Sequence, residues 1–278
     1  MKTFLFAILI ICFVGAQATI PELAQRSSSK NRIVLGFPAK PKQFPWQVSL
    51  NGYNSDGNRG ICGGSVISPD WILTAAHCVT GKVRMEVLLG SIVRDQPELR
   101  LESETFFHHA NYKPLLLEND VALIRLPYSI NYTENILPIA LPPRQFSDEL
   151  FVNAKAVVSG FGRINDSPGS TVSPTLNWAN IRIITNQRCN ESYSDEREYE
   201  DIYDSTICGV GFDFDNQSTC NGDSGGPLVL RQDNDIPIQI GVVSFVSNYG
   251  CASGNPSGYA RITKFLDWIE DNSGVTSP

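Results

Sequence analysis

An all-β fold, a barrel or a sandwich, is what the sequence predicts, and three observations carry the prediction. Short runs rich in Val, Ile, Leu and aromatic residues recur along the chain, separated by Gly, Pro, Asn and Asp. Helical periodicity is scarce. The one late exception is Ile262–Glu270, where Phe265, Trp268 and Ile269 fall at i, i+3 and i+4, the spacing of an amphipathic C-terminal helix.

In chain order the strand-like runs are Trp46–Leu50, Gly64–Ile67, Met85–Leu89, Val121–Leu126, Lys155–Ser159, Ile181–Ile184, Leu228–Leu230 and Ile238–Phe245. Leu141-Pro142-Pro143-Arg144 reads as a linker between two halves, because consecutive prolines cannot continue a ladder.

The N-terminus reads differently. Lys2 precedes an apolar run, Phe4–Val14, and then Gly15-Ala16-Gln17-Ala18. This is the pattern of a secretory signal over residues 1–18, and its apolar core is well short of the ~20 residues of a spanning helix. Export to the extracellular space is expected, with no membrane anchor. One of the seven cysteines, Cys12, falls inside the signal. The remaining six, Cys62, Cys78, Cys189, Cys208, Cys220 and Cys251, form an even set expected to pair as disulfides, for which six cysteines permit 15 pairings. No Cys-x-x-Cys pair suggests a metal site, and neither a metal nor another cofactor is expected. Asn131, Asn165, Asn190 and Asn216 open glycosylation motifs, so a glycoprotein is expected. The net charge of −7, uninterrupted by any Lys/Arg run, excludes a nucleic-acid or anionic-membrane footprint.

The chemistry-bearing residues are few. Among three histidines, His108 and His109 stand in "ETFFHHANY" with no acid or thiol at ligand spacing and read as strand-edge residues. His77 stands in "WILTAAHCV", where small neighbours let the backbone turn tightly beside a cysteine. Asp120 opens the apolar run of "ENDVALIRL"; buried there it needs partners, and a histidine N–H is one. Ser224 lies in "NQSTCNGDSGGPLVL", between an acid and two glycines.

"RIVLG", "CGGSVISPDWILTAAHC", "NDVALIRL", "CNGDSGGPL" and a late "WI" together resemble the chymotrypsin-like (trypsin family) serine endopeptidases, in that family's order and over Ile33–Asn272. In style the chain is similar to arthropod chymotrypsins, elastases and collagenolytic serine proteases. The resemblance implies two six-stranded antiparallel Greek-key β-barrels with a C-terminal helix. It divides the chain into a signal (1–18), an activation propeptide (19–32) and a peptidase domain (33–278), with barrels over about 33–141 and 142–278. It implies Ser224 as nucleophile, His77 as general base, Asp120 as the acid that orients His77, and the N–H groups of Gly222 and Ser224 as oxyanion hole. Ser244 matches the residue supporting Asp120. The implied disulfides are Cys62–Cys78, Cys189–Cys208 and Cys220–Cys251.

The same resemblance implies a zymogen. Cleavage after Arg32 frees the Ile33 amine, which pairs with Asp223; that acid, beside the nucleophile, is then an activation switch and no part of the triad. Ser218 matches the floor of the specificity pocket, where trypsin-like members carry an aspartate. Val246 and Ser257 match its walls, and no acid lies between Ser244 and Gly258. A buried cationic side chain finds no partner there, so cleavage after apolar residues is expected, and with it activation by a separate trypsin-like protease. Protein or peptide substrates and protein protease inhibitors are the expected partners of a monomer. The alternative is a catalytically silent homologue that acts as a binding protein.

Overall fold

The computed structural model describes residues 33–194, 202–231 and 236–278. The expected signal and propeptide, including Arg32, lie outside the described residues.

Among the described residues the strands fall into two antiparallel sheets of seven. The first holds β2 (Gln47–Tyr53), β3 (Arg59–Ser68), β4 (Trp71–Thr74), β5 (Arg84–Leu89), β6 (Leu99–Ser103), β7 (Phe106–His108) and β8 (Ala122–Arg125), in the order β6-β5-β2-β3-β4-β8-β7. The second holds β1 (Phe37–Pro38), β9 (Lys155–Gly160), β10 (Asn177–Ile184), β11 (Thr206–Gly211), β12 (Pro227–Leu230), β13 (Ile238–Phe245) and β14 (Ser257–Arg261), in the order β1-β10-β11-β14-β13-β12-β9. A ladder between β9 and β10 joins this sheet to itself, so six strands close a barrel and β1 is added at its side. The first sheet curls without a ladder between its end strands among the described residues. Closure removes edges that would otherwise be open to pairing.

Strand β2 shows how the sequence dictates the packing. Val48 and Leu50 point into the first core with Val66, Ile72, Val87 and Ile124, while Gln47, Ser49 and Asn51 occupy the opposite face, as alternation demands. That face is buried as well, so each polar group needs a partner. Gln47 accepts from the Ser159 hydroxyl of β9 (2.6 Å), Ser49 from Arg94 Nε (3.2 Å), and the Asn51 amide donates to Glu86. A second bond of this kind joins Ser65 of β3 to Gln239 of β13 (2.6 Å). The two sheets are therefore fastened through buried hydroxyl–amide pairs as well as apolar contact.

Among the described residues three short helices stand after β4, β10 and β14: α1 (Ala76–Val79), α2 (Asn186–Ser192) and α3 (Leu266–Ser273). The expected C-terminal helix is present but begins differently. Ile262–Lys264 form a 3₁₀ turn and Phe265, buried in the core at φ −121°, breaks the helix before α3 starts. Burial of Leu266 and Ile269 docks α3, and Gly274 ends it in the left-handed conformation at φ 71°, a helix stop that glycine adopts without strain. No helix among the described residues is long and apolar enough to cross a membrane.

The three disulfides are Cys62–Cys78, Cys189–Cys208 and Cys220–Cys251, the pairing that the resemblance implies.

Candidate active site

His77 sits on the single turn α1. Ala75 and Ala76 are buried there, and Cys78 ties the turn to β3 through Cys62. The carboxylate of Asp120, at the start of the β8 run, is buried and fully used. Its Oδ1 accepts the His77 backbone N–H (2.9 Å), and its Oδ2 meets His77 Nδ1 (2.7 Å) and accepts the Ser244 hydroxyl (2.6 Å). A carboxylate can only accept, so Nδ1 carries the proton and, in the neutral ring, Nε2 keeps its lone pair. The imidazole remains 27% exposed, which leaves Nε2 reachable from the cleft.

Ser224 comes to the same place from the second sheet. Its carbonyl accepts the Gly63 N–H (2.6 Å) and lies 3.5 Å from Cys78 Sγ, next to His77. The loop is pinned on its other side to β13: Gly225 N–H donates to the Val243 carbonyl (2.7 Å), and Val243 N–H to the Gly226 carbonyl (2.9 Å). Gly222 has φ +99°, and a Cβ there would approach Val172 Cγ1 to 2.7 Å, so the position requires glycine.

Asp223 points away from this cleft. It is wholly buried, its Oδ1 accepting from Gly162 N–H (2.7 Å) and its Oδ2 from Cys220 N–H (2.9 Å). Burial pushes its carboxyl up from 3.8 to about 7, against the opposing pull of those two amides. Two glycines shape the slot: a Cβ on Gly160 would meet Oδ1 at 2.1 Å, and one on Gly162 would meet Cγ at 2.4 Å. Ile33 is fully buried in the second core with Ile181, Ile207 and Tyr259, and Val34 bridges to Ser218.

Beside Ser224 opens a cavity of about 360 Å³. Ser244 and Val246 line it. Ser218 and Ser257 do not: both are buried, with hydroxyls 2.8 Å apart, and Thr219 donates to Ser257 (3.1 Å). Phe245 packs so closely over Gly258 that a Cβ there would meet its ring at 2.1 Å. Asp166, a residue without a role in the motif pattern, also lines the cavity.

The remaining candidates lie away from the cleft chemistry. His108 ends β7 and is exposed, and the half-buried His109 packs edge-on against Phe265 (5.6 Å) and tilted against Trp268 (5.5 Å). Two clusters hold three residues of metal-ligating type each among the described residues, Cys62–His77–Cys78 and Asp166–Cys220–Cys251. In both the sulfurs are disulfide-bonded, so no thiolate is offered. In the 91–102 segment Asp95 pairs with Arg94, Glu98 accepts from Asn135, and Glu102 pairs with Arg84.

Comparison with known proteins gives a consistent picture. The family model described as Trypsin matches residues 33–269. A collagenase of Hypoderma lineatum is 42% identical over 246 residues, 88% of this chain and 89% of the relative. Brachyurin of Leptuca pugilator is 36% identical over 247 residues, 88% of this chain and all of the relative. A solved structure of HL collagenase superposes with a TM-score of 0.78 at 41% identity, covering 88% of this chain and 100% of that one. The chain belongs to the trypsin family and is a serine endopeptidase.

Proposed function

We propose that the protein is an exported zymogen whose mature form cleaves peptide bonds after apolar residues through a Ser224–His77–Asp120 triad. The observation that carries this reading is the threefold use of the Asp120 carboxylate by His77 N–H, His77 Nδ1 and Ser244. It fixes the tautomer in which Nε2 can act as a base.

In the mechanism, Nε2 takes the proton of the Ser224 hydroxyl as Oγ attacks the scissile carbonyl. Negative charge moves onto the carbonyl oxygen, which the N–H groups of Gly222 and Ser224 receive. His77, now an imidazolium facing the Asp120 carboxylate, gives its proton to the departing amine, and the C–N bond breaks to leave an acyl-Ser224. Water, deprotonated by the same Nε2, then hydrolyses the ester. Each oxyanion donor contributes roughly 2.7–4 kcal/mol to the barrier reduction.

Activation is a cut after Arg32. The Ile33 amine so formed supplies the cation that a carboxylate as buried as Asp223 lacks in the uncut chain, and a paired charge in that slot is far less costly than a lone one. The burial of Ile33, the Val34–Ser218 bridge and the two glycines around Asp223 support this reading. The apolar preference is supported by Val246 in the cavity and by the two backbone N–H groups that already occupy the Asp166 carboxylate at its wall. The activator is then another, trypsin-like protease. The relatives named collagenase and brachyurin bring collagen into the substrate panel beside soluble proteins.

The test is labelling of trypsin-treated protein by a serine-directed phosphonate, followed by peptide mapping. Label on Ser224, with no label and no peptidase activity in Ser224→Ala, is expected. Full activity in that variant sinks the proposal.

A further inference from the structure

The wall of the cavity beside Ser224 is held by a side chain from a distant loop. Asp166 spans from the 161–172 segment to the far rim, where its Oδ1 accepts the Cys251 N–H (2.9 Å) and its Oδ2 the Ala252 N–H (2.7 Å). Two successive N–H groups converging on one anion form a backbone nest. Its curvature depends on Gly250, at φ +108°, where a Cβ would come within 2.7 Å of Asp166 Oδ2. The same wall is tied to the nucleophile's loop by Cys220–Cys251, and the Asp166 loop is tied to that loop by Arg163 N–H to the Asn221 carbonyl (2.9 Å). Three ties thus close a ring around the opening: one covalent, one backbone hydrogen bond, and one charge-assisted pair.

We propose that Asp166 is a specificity-determining positioning residue of this protease. Its carboxylate sets the place of the Gly250–Ala252 wall and so the width of the pocket that receives the side chain of the cleaved residue. The inference rests on the proteolytic reading above. The wall needs such a clamp because it is otherwise a loop: Ser247, Asn248 and Gly250 line the cavity between the end of β13 and the disulfide. The disulfide fixes the wall at Cys251, and Asn255 Nδ2 donates to the Ser247 hydroxyl (3.1 Å) nearer β13. The two bonds to Asp166 fall on Cys251 and Ala252 together and set the direction in which the backbone runs at the disulfide. A side chain large enough to touch both walls gains from a fixed wall, whereas a methyl group touches neither. The clamp is therefore worth most for aromatic and long aliphatic residues.

The experiment uses full-length protein activated with trypsin, as parent, Asp166→Ala, Asp166→Asn and Gly250→Ala, with active fractions counted by phosphonate labelling. kcat and KM are measured on peptides that differ only in Phe, Leu or Ala at the cleaved residue. In Asp166→Ala, KM for the Phe peptide is expected to rise about tenfold, the scale of one charge-assisted hydrogen bond, with kcat within about twofold and the Ala peptide little changed. Asp166→Asn, which keeps one acceptor oxygen, is expected to fall between, and Gly250→Ala to reproduce the Asp166→Ala pattern from the other side of the contact. An unchanged Phe-to-Ala preference in Asp166→Ala, or a kcat loss shared equally by all three peptides, overturns the proposal. Should either Asp166→Ala or Gly250→Ala not fold, Asp166→Asn decides by the same criterion. Absence of label on the parent is a different outcome and refutes the proteolytic reading itself.

Discussion

Asp120 holds His77 at two atoms of the same residue, taking the backbone N–H on one oxygen and the ring Nδ1 on the other. The ring cannot rotate without breaking the second bond, nor α1 shift without breaking the first. In Asp120→Asn one of these positions is occupied by an amide donor, and the imidazole is driven to the tautomer with its proton on Nε2. Activity of the cleaved protein is expected to fall about 10⁴-fold in kcat with little change in KM, measured by steady-state kinetics.

The slot of Asp223 gives a pH signature to the uncut chain. Its folded value, about 7, lies above its ordinary 3.8. The contribution to stability is therefore fully present below about 3.8 and is lost as pH rises through about 7. Thermal scans of the uncut protein are expected to show this loss between pH 4 and 8, and Asp223→Asn to remove it. Cleavage after Arg32 is expected to remove it as well by supplying a cation, while Asp223→Asn leaves the cleaved protein inactive.

Gly162 tests the same slot from its wall. A Cβ there overlaps the Asp223 carboxyl at 2.4–2.6 Å, and neither backbone nor the buried acid can move aside. Gly162→Ala is expected to lower the stability of the folded chain by about 3 kcal/mol, read from the midpoint of chemical denaturation.

The Cys62–Cys78 bridge closes 16 residues of chain across His77's turn. Replacing both cysteines by serine is expected to cost about 3 kcal/mol through the unfolded state. Activity at low temperature should fall further than the unfolded fraction explains, because Cys78 lies against the Ser224 carbonyl. Parallel melting and activity curves separate the two losses.

Of the four glycosylation motifs, Asn131 and Asn165 are exposed on loops; Asn165-Asp166-Ser167 is disfavoured by the following Pro168, and its Asn165 Oδ1 accepts the Ser167 N–H, whereas Asn131 has Thr133 close to the surface. Asn190 lies in α2 beside the buried Cys189 and accepts from Ile202 N–H. Asn216 needs Ser218, which is buried against Ser257. Protein produced in a glycosylating host is expected to carry its glycan on Asn131, read as a site-specific mass shift after peptide N-glycosidase treatment, and to leave Asn216 bare.

Much of this was legible from residues alone, and the exceptions have physical causes. β2, β5, β9 and β13 announce themselves because their apolar residues run long enough to show a pattern. β11 and β14 do not: "TICGVG" and "SGYAR" are short and interrupted by glycine, and they are strands because neighbours on both sides pair with them. β1 contains Pro38 and is two residues long. His77, Asp120 and Ser224 were conspicuous as candidates because each sits in a motif whose neighbours are constrained too. Asp166 was not, since its partners lie 85 and 86 residues further on and an aspartate in a polar loop has no local peculiarity. The Ser218–Ser257 contact was hidden for the same reason: two serines 39 residues apart become one buried pair only when β14 folds alongside.

Ile33 lies in a core built from strands that begin more than a hundred residues later, among them Ile181, Ile207 and Tyr259. During synthesis, then, the earliest described residue is one of the last to find its place. The first sheet can form while residues 33–38 wait for β10 and β14 to emerge. The segment opening at Ile33 serves as a seal on the second core, and a ribosome that stops short of Tyr259 releases a protein that has nowhere to put that segment.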